Sequence, residues 1–466
     1  MLSLKSISQY RNFSQSSKLL AAAATRKSFN KKSSYDKSKN KKGPGNDKSF
    51  KDSILTKNYK KKALDNDKSL IKQLKSISIA DKEDINNTFV KYPTKYIRKL
   101  RVAGSFKPNQ YNELYSQPLT LYRSIEDSKL LEIIKNSSIN SSLNNRYLIN
   151  GDSGIGKSTI LSHYQSFALC LNKGNAILFP ISNADLLVNG SNDFKLNPLT
   201  KFYDQPMYTR EFLKKFKNLN NDILSKIPLS KEIIPITNLF KPSTNNKING
   251  SLLDFINFFL QSSSNSIESN TTFAFNTLLD ELSMQSISPV FLTIDNFSAF
   301  IQNGMTNYRD TENRKIYFQK FSIIDKLLKF ISGEQNFKNG SIMIATHGEH
   351  RLKNNVTLDV ISGEKLIDDF AYSKFKDFDY QLANRLIQND GIKNFKISKF
   401  NLDECKSLIT HLFKFNLIHN EYDLENKLIN HGNMENAIDQ IASEKYLISG
   451  NGIPKLVLDS CILSYA

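Results

Sequence analysis

The chain has 466 residues, with 64 Lys and Arg against 45 Asp and Glu, 31 Phe and 39% hydrophobic residues. This apolar content excludes disorder throughout, and the length allows two or three domains. The three cysteines, Cys170, Cys405 and Cys461, are far apart. Their spacing excludes a disulfide framework and a cysteine zinc site and favours a reducing compartment. No apolar run reaches the roughly 18 residues of a membrane helix, so the sequence predicts no membrane span.

The positive charge is concentrated at the N-terminus. Residues 1–62 contain 17 Lys and Arg and three Asp, a net +14 out of the +19 of the whole chain. The first 35 residues contain nine serines and no acid, with basic and apolar residues interleaved. This composition is typical of a mitochondrial transit peptide, which we predict at 1–35. A basic tail on a cytosolic protein is the alternative.

Two further segments precede the folded body. Residues 36–90 are rich in Lys, Asn and Ser, and they predict a basic, flexible arm. Its lysines either bind the phosphates of a nucleic acid or serve only solubility. Residues 91–120 contain Pro93, Pro108 and Pro118, which predict an extended segment wrapped over the surface of the body.

The strongest motif follows a short strand pattern at 146–149. It reads Gly151-Asp152-Ser153-Gly154-Ile155-Gly156-Lys157-Ser158-Thr159 and matches GxxxxGK[ST], the P-loop, with a helical pattern after it. The glycines let backbone N–H groups converge on phosphate oxygens, since side chains there would obstruct them. Lys157 would neutralise the β and γ phosphates, and Ser158 would bind Mg²⁺. We therefore predict that these nine residues bind a nucleotide; an ordinary Gly-rich turn is the alternative.

A P-loop NTPase also needs an acidic side chain at the end of a buried strand. The nearly apolar residues 290–294 predict that strand, and Asp295 follows them as a second Mg²⁺ ligand. A strand ending at a turn-favouring Asp-Asn pair is the alternative. Many ATP-hydrolysing P-loop proteins carry Glu at the next position, where this chain has Asn296. An amide cannot accept a proton, so we predict at most slow hydrolysis and assign no catalytic residue.

Other patterns predict the remaining elements. Residues 340–345 predict a strand ending at Thr346, whose hydroxyl either contacts the γ-phosphate or bonds to the loop backbone. Apolar residues at helical spacing predict a helix over 310–332. The mixed basic, Pro and Asn pattern of 183–265 predicts an insertion at one edge of the sheet. Asn401 and Glu404 predict a capped helix start, and residues 401–466 a small helical lid.

The order of these motifs resembles the AAA-like P-loop NTPase superfamily. Within it, the chain resembles the death-associated protein family of the mitochondrial small ribosomal subunit. The resemblance covers residues 92–466 and includes Gly452-Ile453-Pro454, which is similar to the Gly-x-Pro turn in the lid of this superfamily. The P-loop is its only highly specific motif.

The resemblance implies both a fold and a function. The fold is α/β, a parallel P-loop NTPase sheet flanked by helices over 121–400, with the lid after it and the basic arm before it. The function is a structural component of the mitochondrial small subunit, in the matrix, that binds GTP or GDP with Mg²⁺; ATP or ADP is the alternative. Its partners are ribosomal RNA, ribosomal proteins and the large subunit.

Nothing in the sequence itself indicates guanine, since no Asn-Lys-x-Asp motif is present. An AAA or signal-transducing ATPase, or a nucleotide switch in the matrix, is the alternative function. The missing Glu after Asp295 argues against an AAA ATPase that uses hydrolysis to do mechanical work. The lack of visible repeats argues against a signal-transducing ATPase.

Overall fold

The computed structural model describes residues 69–77, 86–107, 110–233, 248, 250–261, 271–301, 305–348, 355–367, 378–415, 417–418 and 434–462. The predicted transit peptide at 1–35 lies outside the described residues, as does most of the predicted arm at 36–90. Within the described ranges, no helix is both long and apolar enough to cross a membrane.

A parallel sheet forms the centre of the described structure. The strands are β1 (Phe89–Lys91), β2 (Leu119–Leu121), β3 (Arg146–Ile149), β4 (Ile177–Ile181), β5 (Lys195–Leu196), β6 (Tyr203–Asp204), β7 (Val290–Ile294), β8 (Met305–Arg309), β9 (Lys315–Tyr317), β10 (Gly340–Ala345) and β11 (Lys393–Asn394). Five of them form the sheet in the order β11-β3-β10-β7-β4, with every neighbouring pair parallel. The pairs β1–β2, β5–β6 and β8–β9 are antiparallel.

Helices cover both faces of this sheet. They are α1 (Thr94–Val102), α2 (Ser124–Ser137), α3 (Lys157–Leu171), α4 (Pro206–Leu224), α5 (Leu252–Gln261), α6 (Thr271–Met284), α7 (Ser322–Ile331), α8 (Asn355–Ile361), α9 (Tyr380–Ile387), α10 (Leu402–Lys414), α11 (Met434–Ile448) and α12 (Pro454–Ile462). Every residue of β7 and β10 is buried, as expected for central parallel strands. The predicted α/β fold of a P-loop NTPase is therefore confirmed.

Alternate residues of the strands face two separate cores. Leu292 and Ile344 belong to one core, together with α4, α6 and α7. Phe291 and Met343 belong to the other, which α1, α2 and α3 cover. A third apolar cluster joins α10, α11 and α12 to residues that precede the sheet, among them Leu119. The lid is thus packed on the segment before the sheet.

The segment 91–120 is not extended throughout, contrary to the prediction. It contains α1, which begins after Pro93 and buries Tyr96 and Leu100. These residues are four apart and lie on the same helix face, and that face packs on the second core. Proline directly before a helix is compatible with its first turn, so Pro93 begins the helix rather than preventing one.

The helix predicted over 310–332 is wrong for its first half. The structure has the hairpin β8–β9 there, and α7 begins only at Ser322. Thr306 and Tyr308 are buried while Met305, Asn307 and Arg309 are exposed, an alternation with the period of a strand. Asn313 has φ +62°, which turns the chain back between the two strands.

The predicted insertion and lid both contain well-packed helices. In the insertion at 183–265, α4 places Phe212 and Phe216 on Phe179 of the edge strand β4, with ring centroids 4.7 Å and 5.2 Å away. In the lid, α10 begins with the predicted cap. The Glu404 backbone N–H donates to Asn401 Oδ1 at 2.7 Å, and the Asn401 N–H donates to Glu404 Oε2 at 2.9 Å.

Candidate functional site

Three strand ends meet at one edge of the sheet. Strand β10 lies between β3 and β7, and Ile344 is in register with Leu148 on one side and Ile294 on the other. Because all three strands are parallel, the segments that leave them are neighbours. The P-loop after β3, Thr346 after β10 and Asp295 after β7 are therefore brought together, as the sequence predicts.

The P-loop curls around the ammonium group of Lys157. Lys157 Nζ donates to the carbonyl oxygens of Gly151 and Asp152, at 2.7 Å each. Gly156 precedes the first residue of α3 and has φ +103°, a conformation that glycine adopts without strain. Among the described residues, no heavy atom lies within 4 Å of where a Cβ on Gly156 would stand. The space beside Gly156 is therefore open at the N-terminus of α3, where an anion such as phosphate can bind.

The lid touches the P-loop directly. The Lys455 N–H donates to the Gly154 carbonyl at 3.1 Å. Gly154 has φ +81°, and a Cβ there would stand 2.6 Å from Lys455 Cβ, so a larger residue would push the lid away. Lys455 directly follows the Gly452-Ile453-Pro454 turn. The turn predicted from the lid of the superfamily is therefore in contact with the phosphate loop.

The two predicted metal ligands are also in contact. Ser158 Oγ donates to Asp295 Oδ2 at 2.8 Å, and the Asn296 backbone N–H donates to Oδ1 at 2.9 Å. The ammonium of Lys107 forms an ion pair with the same Oδ2. One hydroxyl and one carboxylate fit Mg²⁺ when phosphate oxygens and water complete the shell. Lys107 is missing from the sequence predictions, because it lies in a segment expected to be mere surface wrapping.

The other predicted site residues contact only neighbouring parts of the protein or are exposed. Asp152 and Ser153 are exposed, whereas Ile155 is buried in the second core. The Thr346 hydroxyl donates to Oδ1 of Asn150, the residue before the P-loop, at 3.2 Å. Asn296 has φ +62° and its Nδ2 donates to Asn183 Oδ1 at 2.7 Å. Its side chain is an amide held by another amide, and neither can act as a general base.

A cavity of about 140 Å³ opens beside the P-loop. Residues 110–123, the first turns of α3 and the lid form its wall, which includes the aromatic rings of Tyr111 and Tyr115. Gly156 and Thr159 line the cavity and also belong to the P-loop motif, and Pro454 lines it from the lid. One ligand could therefore place a flat, largely apolar group in this cavity and an anionic group at the P-loop.

A buried hydrogen-bond network fixes one wall of the cavity. His163 Nδ1 lies 2.6 Å from Asp127 Oδ1, and its Nε2 lies 2.7 Å from Thr120 Oγ1. Burial raises the pKa of the nearby Tyr92 hydroxyl well above its ordinary value, so this phenol stays protonated. With both ring nitrogens occupied, His163 holds its wall position in one orientation.

Arg123 ties the body to the lid beside the same cavity. Its Nε donates to Glu404 Oε1 at 2.8 Å and its Nη1 donates to the Ser398 carbonyl at 3.0 Å. Nη2 also lies 3.2 Å from Glu126 Oε1. The side chains of Arg123, Glu126 and Glu404 are only 8%, 4% and 7% exposed, so one buried cation is shared by two buried carboxylates.

Comparison with known proteins identifies the family that shares these features. Residues 121–460 match the family model described as mitochondrial ribosomal death-associated protein 3. The chain belongs to this family. Membership confirms the resemblance found in the sequence and makes the chain a mitochondrial ribosomal protein. It also confirms the predicted location in the mitochondrial matrix.

Relatives from two fungi are similar along most of the chain. The small ribosomal subunit protein mS29 of Schizosaccharomyces pombe is 25% identical over 356 residues, 75% of this chain and 70% of that protein. The protein of the same name from Neurospora crassa is 21% identical over 412 residues, 85% of this chain and 79% of that protein. Among solved structures, a Walker-type ATPase of Pyrococcus abyssi is 14% identical with a TM-score of 0.30, covering 71% of this chain and 74% of that one. This last likeness is too distant to bear on function.

Proposed function

We propose that the chain is a structural subunit of the mitochondrial small ribosomal subunit that holds a purine nucleotide between its P-loop and its lid. One observation supports this most: the phosphate loop, the apolar cavity and the lid turn meet at Gly156, Thr159 and Pro454. A nucleotide has an anionic end and a flat aromatic end, and the two parts of the site match them in order. GTP or GDP is proposed over ATP or ADP on the family resemblance.

The roles of the residues follow from their positions. Lys157 leaves its two carbonyl partners for the β and γ phosphates, since a charge-assisted bond to phosphate is stronger than a bond to a neutral carbonyl. Backbone N–H groups of residues 152–158 would surround the phosphates, and Tyr111 and Tyr115, which line the cavity, would lie beside the base. Ser158 and Asp295 would hold Mg²⁺, which would neutralise part of the negative charge of the phosphate oxygens. Thr346 would help to position the loop through its hydrogen bond to Asn150, the residue before it.

The same geometry predicts that a bound triphosphate is kept rather than consumed. We expect the purified full-length chain, loaded with radiolabelled GTP, to retain about one nucleotide per chain. Turnover should be well below about one per minute, against roughly 1–10³ per second for typical enzymes, because Asn296 offers no base. Thin-layer chromatography of the bound and released nucleotide measures both quantities.

Asn296→Glu is a useful comparison, since it supplies the carboxylate that this position lacks. It should raise turnover without changing the initial amount bound. Turnover of the wild type at an ordinary enzymatic rate would contradict the structural role and favour the ATPase alternative.

Helix α1 supports ribosomal RNA as a partner. Residues 86–107 contain six Lys and Arg and no acid. Lys95, Arg98 and Arg101 are exposed at a spacing of three, and none of them forms an ion pair with another described residue. Lys99, by contrast, is paired with Asp222. A row of cations on one helix face, without ion-pair partners among the described residues, suits an RNA phosphate backbone, so we propose α1 as an RNA contact. Contact with the large subunit stays a prediction from the resemblance.

This proposal predicts a change in salt dependence. When small subunits from mitochondria are centrifuged at rising KCl, the chain carrying Arg98→Ala and Arg101→Ala should dissociate at lower salt than the wild type. Each lost phosphate contact removes about 0.7–0.9 from the slope of log affinity against log salt, so two lost contacts lower it by about 1–2. Alanine keeps the helix intact.

Lys320→Ala with Lys338→Ala is the matched control, since these exposed lysines lie outside α1 and the charge lost is equal. The control should leave the slope unchanged. Equal slopes for the α1 variant and the wild type would remove α1 from the RNA interface.

A further inference from the structure

Lys107 pairs with Asp295, the carboxylate proposed above as a metal ligand. Its ammonium is paired with Asp295 Oδ2, the same oxygen that accepts the Ser158 hydroxyl. The other oxygen, Oδ1, accepts the Asn296 N–H. The Asp295 side chain is 6% exposed and that of Lys107 is 29% exposed. The carboxylate is therefore buried, both of its oxygens already accept a hydrogen bond, and its negative charge is compensated by a cation of the chain itself.

The residues that lead into Lys107 are anchored to the body. The Ser105 hydroxyl donates to Gln165 Oε1 at 2.8 Å, and Gln165 Nε2 donates to Thr293 Oγ1 at 2.9 Å. Ser105 is thus tied to α3 and, through Gln165, to β7, the strand that precedes Asp295. Gly104 lies so close to Ser182 that a Cβ would stand 2.3 Å from Ser182 Cβ. Because residues 104 and 105 are packed in place, they position Lys107 close to Asp295.

We propose that Lys107 competes with Mg²⁺ for Asp295 and so makes nucleotide binding nearly independent of metal. The inference rests on the proposed function, because it concerns the same site. Without Mg²⁺, Lys107 keeps Asp295 from repelling the phosphates. Mg²⁺ must displace the Lys107 ammonium from Asp295. The free energy of that displacement offsets part of the nucleotide affinity that the metal adds.

The test is the ratio of two dissociation constants for a fluorescent GDP analogue, one in EDTA and one at saturating free Mg²⁺. For the full-length wild type this ratio should be below about 5, the lower end of ordinary coupling between two bound ligands. Lys107→Met keeps the aliphatic stem and removes the charge. Its ratio should rise by about tenfold or more, mainly through weaker binding in EDTA, because Asp295 then faces the phosphates uncompensated.

Two further variants separate charge from shape. Lys107→Arg keeps a cation and should keep the low ratio. Lys99→Met removes an equal charge from the same basic segment, but its partner Asp222 lies outside the site, so its ratio should equal that of the wild type.

Each outcome decides the question. An equal ratio for the wild type and Lys107→Met overturns the proposal. A ratio above about 5 for the wild type overturns it too, even if Lys107→Met does not fold, because that is ordinary coupling between metal and nucleotide. Failure of all four proteins to bind the analogue with or without Mg²⁺ is a different result, since it contradicts the proposed nucleotide site itself.

Discussion

Replacing Lys157 with alanine is expected to abolish tight nucleotide retention. The ammonium is enclosed by the P-loop and buried, so its loss leaves phosphate oxygens without their charged partner. Removing one member of a buried charge pair costs about 2–5 kcal/mol, which corresponds to a loss of affinity between about 30-fold and several thousand-fold. Isothermal titration with GDP measures this directly.

A thermal measurement gives the same answer independently. Saturating nucleotide should raise the melting temperature of the wild type, because a ligand at 100 times its dissociation constant adds about 2.7 kcal/mol of stability. The Lys157→Ala chain should show no such rise, although it should melt like the wild type without nucleotide. Lys173→Ala removes the same charge from an exposed position after α3 and should behave as the wild type. Equal retention by the wild type and Lys157→Ala would remove the P-loop from this account.

The largest loss of stability is expected for Arg123→Met. This change leaves Glu126 and Glu404 buried without their shared cation and removes the bonds to Ser398. Breaking a buried ion pair by removing one partner costs about 3–5 kcal/mol. The lid also loses a buried polar attachment to the body, so nucleotide should dissociate faster. Urea denaturation followed by circular dichroism gives the change in the free energy of unfolding.

Arg314→Met is the control for Arg123→Met. Arg314 also contacts two carboxylates, Asp310 and Glu312, but its side chain is 69% exposed and that of Glu312 is 66% exposed. Exposed pairs contribute only about 0–1 kcal/mol, so this variant should be nearly as stable as the wild type. Similar small losses for Arg123→Met and Arg314→Met would show that the buried network does not hold the lid.

The centre of the site is predictable from the sequence because its determinants are local. The P-loop consists of nine consecutive residues, and Asp295 and Thr346 each follow directly after an apolar stretch. Parallel strands then place all three at one edge of the sheet without any knowledge of side-chain contacts. The start of α10 is predictable for the same reason, since its cap depends on residues three apart.

The surroundings of the site depend on contacts between distant residues, which no local pattern records. Lys107 pairs with Asp295 across 188 positions, and Arg123 bonds to Glu404 across 281. The wrong half of the helix predicted over 310–332 has a related cause. The helical period of 321–331 is real, but Asn313 turns the chain before it, and the buried side chains of β8 and β9 follow a strand period instead.

One measurement tests both whether the chain is part of the small subunit and whether it holds a nucleotide there. Mitochondria are lysed gently, small subunits are separated on a sucrose gradient, and the nucleotide released from them is identified by mass spectrometry and counted against this chain. We expect most of the chain to sediment with the small subunit and about one guanine nucleotide to be recovered per chain. A chain found mainly in a ribosome-free pool, or small subunits that contain the chain but no stoichiometric nucleotide, would contradict this expectation.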